Sequence, residues 1–202
     1  MTATPTIGVL ALQGDADEHV HVLEGLGSRT VKVLSADRLD DADALVIPGG
    51  ESTTMSKLAV RYGLLDPLRK RVVDGMPVYG TCAGMIMLAD RVLGGTADQE
   101  TVGGIDMTVR RNAFGRQTES FEAGVRIDGI GGDPFEAVFI RAPWVESVGT
   151  GVTVLGAVSR PDEAGRIVAV RQGSLMATSF HPELTGDARI HRLFVDIAKG
   201  QA

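Results

Sequence analysis

The alternation of short apolar runs with amphipathic segments over the first 95 residues is the feature that most limits the possible folds. The runs TIGVLAL, TVKVLS, ADALVIPGG and MPVYG have the length and composition of buried strands, and apolar residues recur at helical spacing between them. Such alternation is typical of β–α–β units around a parallel sheet. From about residue 96, short β-like runs follow one another between turns, and several should pair antiparallel. We therefore predict an α/β fold, a three-layer, open and mostly parallel sheet with helices on both faces and added antiparallel strands, in a single domain over residues 1–202.

The segments with helical periodicity predict particular buried faces, caps and helix bounds. The first should bury Ala16, Val20 and Leu23 on one face, because these residues recur at helical spacing. The second should begin with Ser52 or Thr53 as its N-cap, since hydroxyl side chains satisfy the free amides of a first turn. We predict helices over residues 15–27, 52–75 (as one helix or two), 83–93 and 185–200.

Charge and cysteine content exclude several classes of partner and compartment. The formal net charge is −6, and a nucleic acid or an anionic membrane as the main partner would require a clustered basic surface. The single cysteine excludes an intramolecular disulfide and fits a reducing compartment. The N-terminus has no basic region followed by a cleavage site, and no stretch approaches the roughly 20 apolar residues of a membrane span. We therefore expect a cytoplasmic protein.

The only cysteine, Cys82, lies where an apolar run passes into a helical pattern, in the segment Gly80-Thr81-Cys82-Ala83-Gly84. This segment is similar to the nucleophile elbow G-x-S-x-G, with sulfur in place of oxygen. A tight strand-to-helix turn brings backbones close together, and the flanking glycines avoid a Cβ clash. The helix N-terminus favours a thiolate, and the amide of Ala83 could face an oxyanion. The alternative is a buried, inert cysteine.

A thiolate that must also protonate a leaving group needs a base, and one histidine has a suitable local sequence. The tripeptide His181-Pro182-Glu183 follows a strand-like run, and residues i and i+2 of an extended segment point the same way. Glu183 could then hold one ring nitrogen while the other faces the sulfur. The alternative is a turn with a surface carboxylate. His19, His21 and His191 lie in helical patterns, where we expect them on solvated surfaces, and His19 and His21 cannot share a face.

A second glycine turn occurs in LVIPGGESTT, residues 45–54. Gly49 and Gly50 would let backbone amides approach a substrate, and one of them could be a second oxyanion donor. Glu51 and Ser52 would then lie at the mouth of the site. The alternative is an ordinary turn followed by an N-cap. No lysine follows at P-loop spacing, and GVLALQG does not match G-x-G-x-x-G.

Together, the motifs GVLALQGD, PGGESTT, GTCAGMI, RRNAFGRQ with SFEA, FIRAP and SFHPEL resemble a known family. They are similar to the glutaminase subunits of pyridoxal 5′-phosphate synthase, which are class I, triad-type glutamine amidotransferases with a flavodoxin-like sheet. The likeness runs from about residue 6 to 196. It implies that Cys82 attacks glutamine, that His181 is the base and then the acid, and that Glu183 orients His181. The residues that it implies for glutamine binding are Gly50, Glu51, Ser52, Arg111, Ile140 and Arg141.

The same resemblance implies further properties of the chain. Gln13 and Gly14 would lie near the oxyanion site and the interface with a partner. The partner would be a synthase subunit with a (β/α)₈ barrel, which receives ammonia through a channel, and neither a metal nor an organic cofactor would be needed. Arg111 and Arg141 could instead be ordinary surface arginines. Other possible functions are a glutaminase or γ-glutamyl hydrolase that serves another acceptor, and a non-catalytic α/β binding module.

Overall fold

The computed structural model describes residues 4–113, 120–159 and 164–202. Part of the RRNAFGRQ motif therefore lies outside the described residues. The strands of the first half, in chain order, are β1 (Thr6–Leu10), β2 (Arg29–Val33), β3 (Ala44–Ile47), β4 (Val78–Thr81) and β5 (Ala89–Leu93). The strands of the second half are β6 (Ile105–Arg110), β7 (Ser120–Val125), β8 (Phe135–Ile140), β9 (Trp144–Val148), β10 (Thr153–Ala157), β11 (Ile167–Gln172) and β12 (Leu175–Thr178).

Within the described residues, ten of these strands form one sheet, which confirms the predicted class of fold. The order along the sheet is β2-β1-β3-β4-β12-β11-β9-β6-β5, and β10 pairs with β11. The five strands from β2 to β12 are mutually parallel. Beyond β12 the pairing becomes antiparallel, except between β5 and β6. Strands β7 and β8 form a separate hairpin.

Helices cover both faces of the sheet, because successive strand residues point to opposite sides. Leu45 and Ile47 belong to one apolar core, while Ala44 and Val46 belong to the other. The helices are α1 (Ala16–Gly25), α2 (Ala36–Asp40), α3 (Ser52–Arg61), α4 (Leu65–Val73), α5 (Ala83–Leu88) and α6 (Arg189–Ala198). Residues of α2 to α5 pack in the first core, and residues of α1, α6 and the β7–β8 hairpin pack in the second. No helix in these described ranges is long and apolar enough to cross a membrane.

The structure corrects two of the predicted helices. The helix expected over residues 83–93 ends at Leu88, and the remainder is strand β5. Ala89 already has an extended ψ of 138°, and Arg91 to Leu93 pair with β6, a long-range contact that local periodicity does not contain. The N-cap of α3 is neither Ser52 nor Thr53 but the preceding residue, Glu51, whose carboxylate accepts hydrogen bonds from the first turn of the helix.

Candidate active site

Cys82 occupies a strained turn between β4 and α5. Its φ is 49° and its ψ is −105°, a combination that L-residues rarely adopt. The flanking glycines are required by close backbone approach. A Cβ on Gly80 would lie 2.4 Å from the Gly84 carbonyl oxygen, and a Cβ on Gly84 would lie 2.0 Å from the Ile47 carbonyl oxygen. This packing fixes the thiol at the carboxyl edge of the parallel strands, where α/β sheets bind ligands.

His181 and Glu183 meet the thiol from the end of the neighbouring strand β12. The Nδ1 atom of His181 lies 2.7 Å from Glu183 Oε1, and both side chains are buried. The amide of His181 donates to the carbonyl of Val138, which ties this segment to the β7–β8 hairpin. A Cβ on Gly49 would lie 2.4 Å from His181 Cε1, so the glycine turn packs directly against the ring. The main chain of His181 is therefore fixed by the hairpin, and its ring is held between the Gly49 turn and Glu183.

The thiol of Cys82 also affects the pKa of the His181 imidazole. Burial by itself lowers the pKa of His181, but hydrogen bonds to Cys82 and Glu183 and the charges of both groups raise this pKa to about 10. Since Nδ1 is engaged by Glu183, Nε2 is the ring nitrogen left to face the sulfur. The sulfur lies 4.0 Å from the carbonyl oxygen of Ile140, at the end of β8. The site therefore holds a thiol, an imidazole and a carboxylate in series.

A cavity of about 310 Å³ opens onto this group. Most of the residues singled out in the sequence line it, and four residues that the sequence reasoning missed line it as well: Asp15, Ile86, Asn112 and Pro143. The expected residues in the wall are Gln13, Gly50, Glu51, Ser52, Cys82, Ala83, Arg111, Ile140, Arg141 and His181. Gly49 and Glu183 are buried and do not line the cavity, and Gly14 is exposed beside it. A Cβ on Gly14 would overlap the carbonyl oxygen of Gly49, at 1.8 Å, which places the two glycines against each other.

Backbone strain is concentrated around the same cavity. Across the described ranges, the non-glycine residues with positive φ are Cys82, Asn112 and Arg141, at 49°, 46° and 44°. All three line the cavity. Strained conformations persist only where the surrounding structure holds them, and they cluster at functional sites. The coincidence of strain and cavity therefore identifies this region as the functional centre independently of the sequence motifs.

Polar contacts of the glycine turn and Arg111 shape one wall of the cavity. The Glu51 amide donates to Gln13 Oε1 at 2.7 Å, and the Glu51 carboxylate accepts from the amides of Thr53 and Thr54. Burial alone would raise the pKa of Glu51, but these hydrogen bonds lower it to about 2. Arg111 donates to Glu51 Oε1, Thr53 Oγ1 and Gln99 Oε1 at 2.8–2.9 Å. Arg111 is therefore an ordered member of the wall and not a solvated surface arginine.

The expectation that His19 and His191 lie on solvated surfaces is wrong. His19 and His191 are fully buried, whereas His21 is exposed as expected. His19 Nδ1 lies 2.9 Å from His191 Nε2, and His19 Nε2 lies 3.4 Å from Glu183 Oε2. The signal was present, since His19 shares a helix face with Ala16 and Leu23, both buried. The sequence reasoning assigned histidine to the surface by residue type alone.

Among the residues that the structure describes, one group of side chains has the residue types of a metal site. Single ligand-type atoms of Asp15, His181 and Glu183 lie within 4.8 Å of one another. The hydrogen bond between His181 Nδ1 and Glu183 already engages two of these side chains with each other. The geometry is explained by that pair, and we assign no metal to it.

A thiol at a strand-to-helix turn, an imidazole that faces it and a carboxylate behind the imidazole form the arrangement that is typical of cysteine-dependent hydrolases of the triad type. Comparison with known proteins gives the particular family. Residues 9–199 match the model of the SNO glutamine amidotransferase family, and the chain belongs to that family.

Individual relatives match over nearly their whole lengths. The chain is 67% identical to the pyridoxal 5′-phosphate synthase subunit PdxT of Thermobifida fusca, over 97% of this chain and 98% of the relative. It is 63% identical to the PdxT subunit of a Nocardioides species, over 98% of each chain. A crystal structure described as a glutamine amidotransferase is 46% identical and superimposes with a TM-score of 0.88, over 96% of this chain and 98% of that chain.

Proposed function

We propose that this chain hydrolyses L-glutamine to L-glutamate and ammonia, and that it delivers the ammonia to a synthase subunit that makes pyridoxal 5′-phosphate. The observation that carries the proposal is the cavity in which Cys82 and His181 meet residues of the glycine turn and Arg111. The family supports the reaction, and the names of the relatives support the acceptor pathway. The assembly of the thiol with a buried imidazole and carboxylate argues against a non-catalytic binding module.

In the first half of the reaction, Cys82 Sγ attacks the carboxamide carbon of glutamine. His181 holds the thiol proton on Nε2, and Glu183 stabilises the resulting imidazolium through Nδ1. The carboxamide oxygen becomes an oxyanion, which the amide of Ala83 and an amide of the Gly49–Gly50 turn would bind. When the intermediate collapses, the carbon–nitrogen bond breaks and His181 gives its proton to the leaving nitrogen. The products of this step are ammonia and a γ-glutamyl thioester on Cys82.

In the second half, water hydrolyses the thioester. Neutral His181 takes a proton from the water as it attacks the thioester carbon, and the carbon–sulfur bond then breaks. Cys82 leaves as the thiolate beside the imidazolium of His181, the γ-carboxyl group of the product loses its proton to solvent, and glutamate departs. Each turnover therefore consumes one glutamine and one water and restores the starting protonation of the site.

The remaining wall residues would select glutamine by its α-amino and α-carboxylate groups. Arg111 is held by Glu51, Thr53 and Gln99, so its guanidinium is oriented before a ligand arrives. Gly50, Glu51, Ser52, Ile140 and Arg141 line the same cavity and are proposed to contact the rest of the substrate. Gln13 accepts from the amide of Glu51 and would fix the glycine turn that carries an oxyanion donor.

The proposal extends to the organisation and location of the protein. We propose that residues 1–202 act as one glutaminase domain, because Cys82 and His181 follow adjacent parallel strands of one sheet and the β7–β8 hairpin brings Ile140 to the same cavity. We also propose a cytoplasmic location, because the reaction needs the single cysteine as a free thiol. Gln13 and Gly14 lie at the rim beside the glycine turn, and we propose that the synthase subunit docks there.

Replacement of the nucleophile tests the reaction. Cys82→Ala and Cys82→Ser should each abolish ammonia release from glutamine, because no other thiol exists in the chain. Each variant should still fold, which circular dichroism and thermal unfolding would check. Ammonia release is measured with the synthase subunit present and absent, and the wild type should be more active in the complex. Ammonia release at the wild-type rate in either variant would refute the assignment of Cys82.

A further inference from the structure

A line of buried polar groups continues behind the carboxylate that orients His181. Glu183 uses Oε1 to hold His181, and Oε2 has no conventional hydrogen-bond partner within the described residues. The Nε2 atom of His19 lies 3.4 Å from this oxygen and 3.3 Å from the hydroxyl of Thr81. On its other side, His19 Nδ1 lies 2.9 Å from Nε2 of His191. The side chains of His19 and Glu183 have no exposed surface.

Burial keeps His19 and His191 neutral. Desolvation, together with the charges of His191 and His181, lowers the pKa of His19 well below its ordinary value. Desolvation also lowers the pKa of His191 to about 4. A neutral imidazole has one N–H donor and one acceptor nitrogen, so the direction of each hydrogen bond in the line is a choice between two tautomers.

Only one pair of tautomers satisfies the surroundings. If His191 Nε2 donates to His19 Nδ1, then His19 carries its proton on Nε2 and shares it between Thr81 Oγ1 at 3.3 Å and Glu183 Oε2 at 3.4 Å. This choice leaves one unpaired acceptor, Nδ1 of His191, which is without a partner in the described part of the chain. The opposite choice would leave a buried N–H without an acceptor and would point a lone pair of His19 at an anionic oxygen. Buried N–H groups without acceptors are rare, and that arrangement is repulsive.

We propose that His19 is a positioning residue for the glutaminase reaction: as the Nε2–H tautomer set by His191, it donates to Glu183 Oε2 and so holds the carboxylate that orients His181. This inference rests on the proposed function. His19 does not line the cavity, and its polar contacts are with His191, Thr81 and Glu183. Its effect therefore passes through Glu183 and should appear in turnover and not in substrate binding.

Four substitutions on α1 separate this role from packing. His19→Leu removes the donor, and the loss of an outer-shell hydrogen bond of this kind should lower kcat by about 10- to 100-fold. KM for glutamine should stay unchanged. His19→Gln can place an amide donor near the position of Nε2 and should recover most of the activity.

Leu23→Ala removes buried volume one turn away and should lower the unfolding temperature while kcat stays at the wild-type value. His21→Leu makes the same chemical change at an exposed position and should alter neither quantity.

The pH dependence of kcat/KM is a quantity that would not change if His19 served only in packing. The groups that face the line are His191 on α6, Tyr79 on β4, His181 and Glu183 after β12, and Cys82 before α5. A less well-held Glu183 supports the imidazolium of His181 less strongly, so the pKa of His181 falls. The alkaline limb of kcat/KM should therefore move to lower pH in His19→Leu and stay in place in Leu23→Ala. Unchanged kcat and an unchanged limb in a folded His19→Leu protein would overturn the proposal.

Nitrogen-15 NMR of the wild-type protein tests the tautomers without any assay of activity. We expect the proton of His19 on Nε2 and that of His191 on Nε2 at neutral pH. A proton on Nδ1 of His19 would overturn the inference, even if His19→Leu failed to fold. The absence of ammonia release from wild-type protein in the synthase complex would instead count against the proposed function, so the two failures can be told apart.

Discussion

At the scale of a single residue, the site requires a strained backbone conformation at Cys82. A φ of 49° with a ψ of −105° brings Cβ into conflict with the backbone, and conformations of this kind cost on the order of 1–3 kcal/mol. The turn is imposed by two glycines and by hydrogen bonds from the amide of Cys82 to Thr178 and from the amide of Met85 to the Cys82 carbonyl. As a result, the side chain of Cys82 lies at the edge of the sheet, against the imidazole of His181.

This strain can be measured by comparing two substitutions that both remove the thiol. Cys82→Gly relieves the Cβ conflict, whereas Cys82→Ala keeps it. After the greater chain entropy of glycine is subtracted, we expect Cys82→Gly to be about 1 kcal/mol more stable than Cys82→Ala, a difference of roughly 2–4 °C in unfolding temperature for a protein of this size. Thermal unfolding of the two proteins side by side is the test. A Cys82→Gly protein that is less stable than Cys82→Ala by the ordinary glycine penalty of roughly 0.5–1 kcal/mol would mean that the turn is not strained in solution.

At the level of elements, the site depends on how closely α5 approaches the sheet. The helix has only six residues, all of them buried, and it packs directly on β3 and β4. Gly84 makes this possible, since a Cβ there would lie 2.0 Å from a main-chain oxygen of β3, which cannot move aside as a side chain would. The same helix presents the amide of Ala83 beside Cys82, so its position determines the geometry of the proposed oxyanion site.

An alanine at this contact should damage both stability and activity. We expect Gly84→Ala to lower the free energy of unfolding by about 1–3 kcal/mol, the usual cost of overpacking, and to reduce kcat because α5 is displaced. Gly25→Ala is the matched control, because Gly25 lies at the exposed end of α1 and a Cβ there meets nothing within 4 Å. That change should stabilise the protein by roughly 0.5–1 kcal/mol. Chemical denaturation and steady-state kinetics check both, and an unaffected Gly84→Ala protein would contradict the packing argument.

Local pattern explains which elements were predicted correctly. The parallel strands and the C-terminal helix were predictable because each carries its own apolar periodicity. Strand β5 was mistaken for helix because its extended form depends on pairing with β6, and its ion pair between Arg91 and Asp106 joins residues 15 positions apart. The cap by Glu51 was missed because glutamate is not a preferred N-cap residue, and Arg111, 60 positions along the chain, also binds the same carboxylate.

At the scale of the whole molecule, the two buried histidines couple stability to pH. His191 lies between α6 and the sheet, with its ring 6.2 Å from that of Tyr79, and His19 faces it from α1. Both have a lowered pKa in the folded protein, so the stability that they contribute is present above the ordinary pKa of 6.5 and is lost as the pH falls. His181 has the opposite sign, since its raised pKa favours folding below pH 6.5 and this contribution declines as the pH rises toward about 10.

Acid sensitivity should therefore begin near pH 6.5. Between pH 6.5 and about 4, protonation of unfolded His191 should lower the free energy of unfolding by about 1.4 kcal/mol per pH unit, and His19 acts in the same direction. His191→Gln cannot titrate and should have a shallower slope in this range, whereas His21→Gln should keep the wild-type slope. Urea unfolding at a series of pH values measures it. A slope that is the same in His191→Gln and the wild type would mean that His191 is not held neutral by the fold.

The sequence by itself determined the features that depend on neighbouring residues. The glycine-flanked Cys82 turn and the pairing of His181 with Glu183 span five residues and three residues, so backbone geometry alone predicts them. The tertiary structure decided which of these pieces meet. Cys82 reaches His181 because β4 and β12 are adjacent parallel strands, and His19 reaches Glu183 because α1 covers the same end of the sheet. Such contacts depend on strand order and on the burial that folding creates, and neither is contained in a local pattern of residue types.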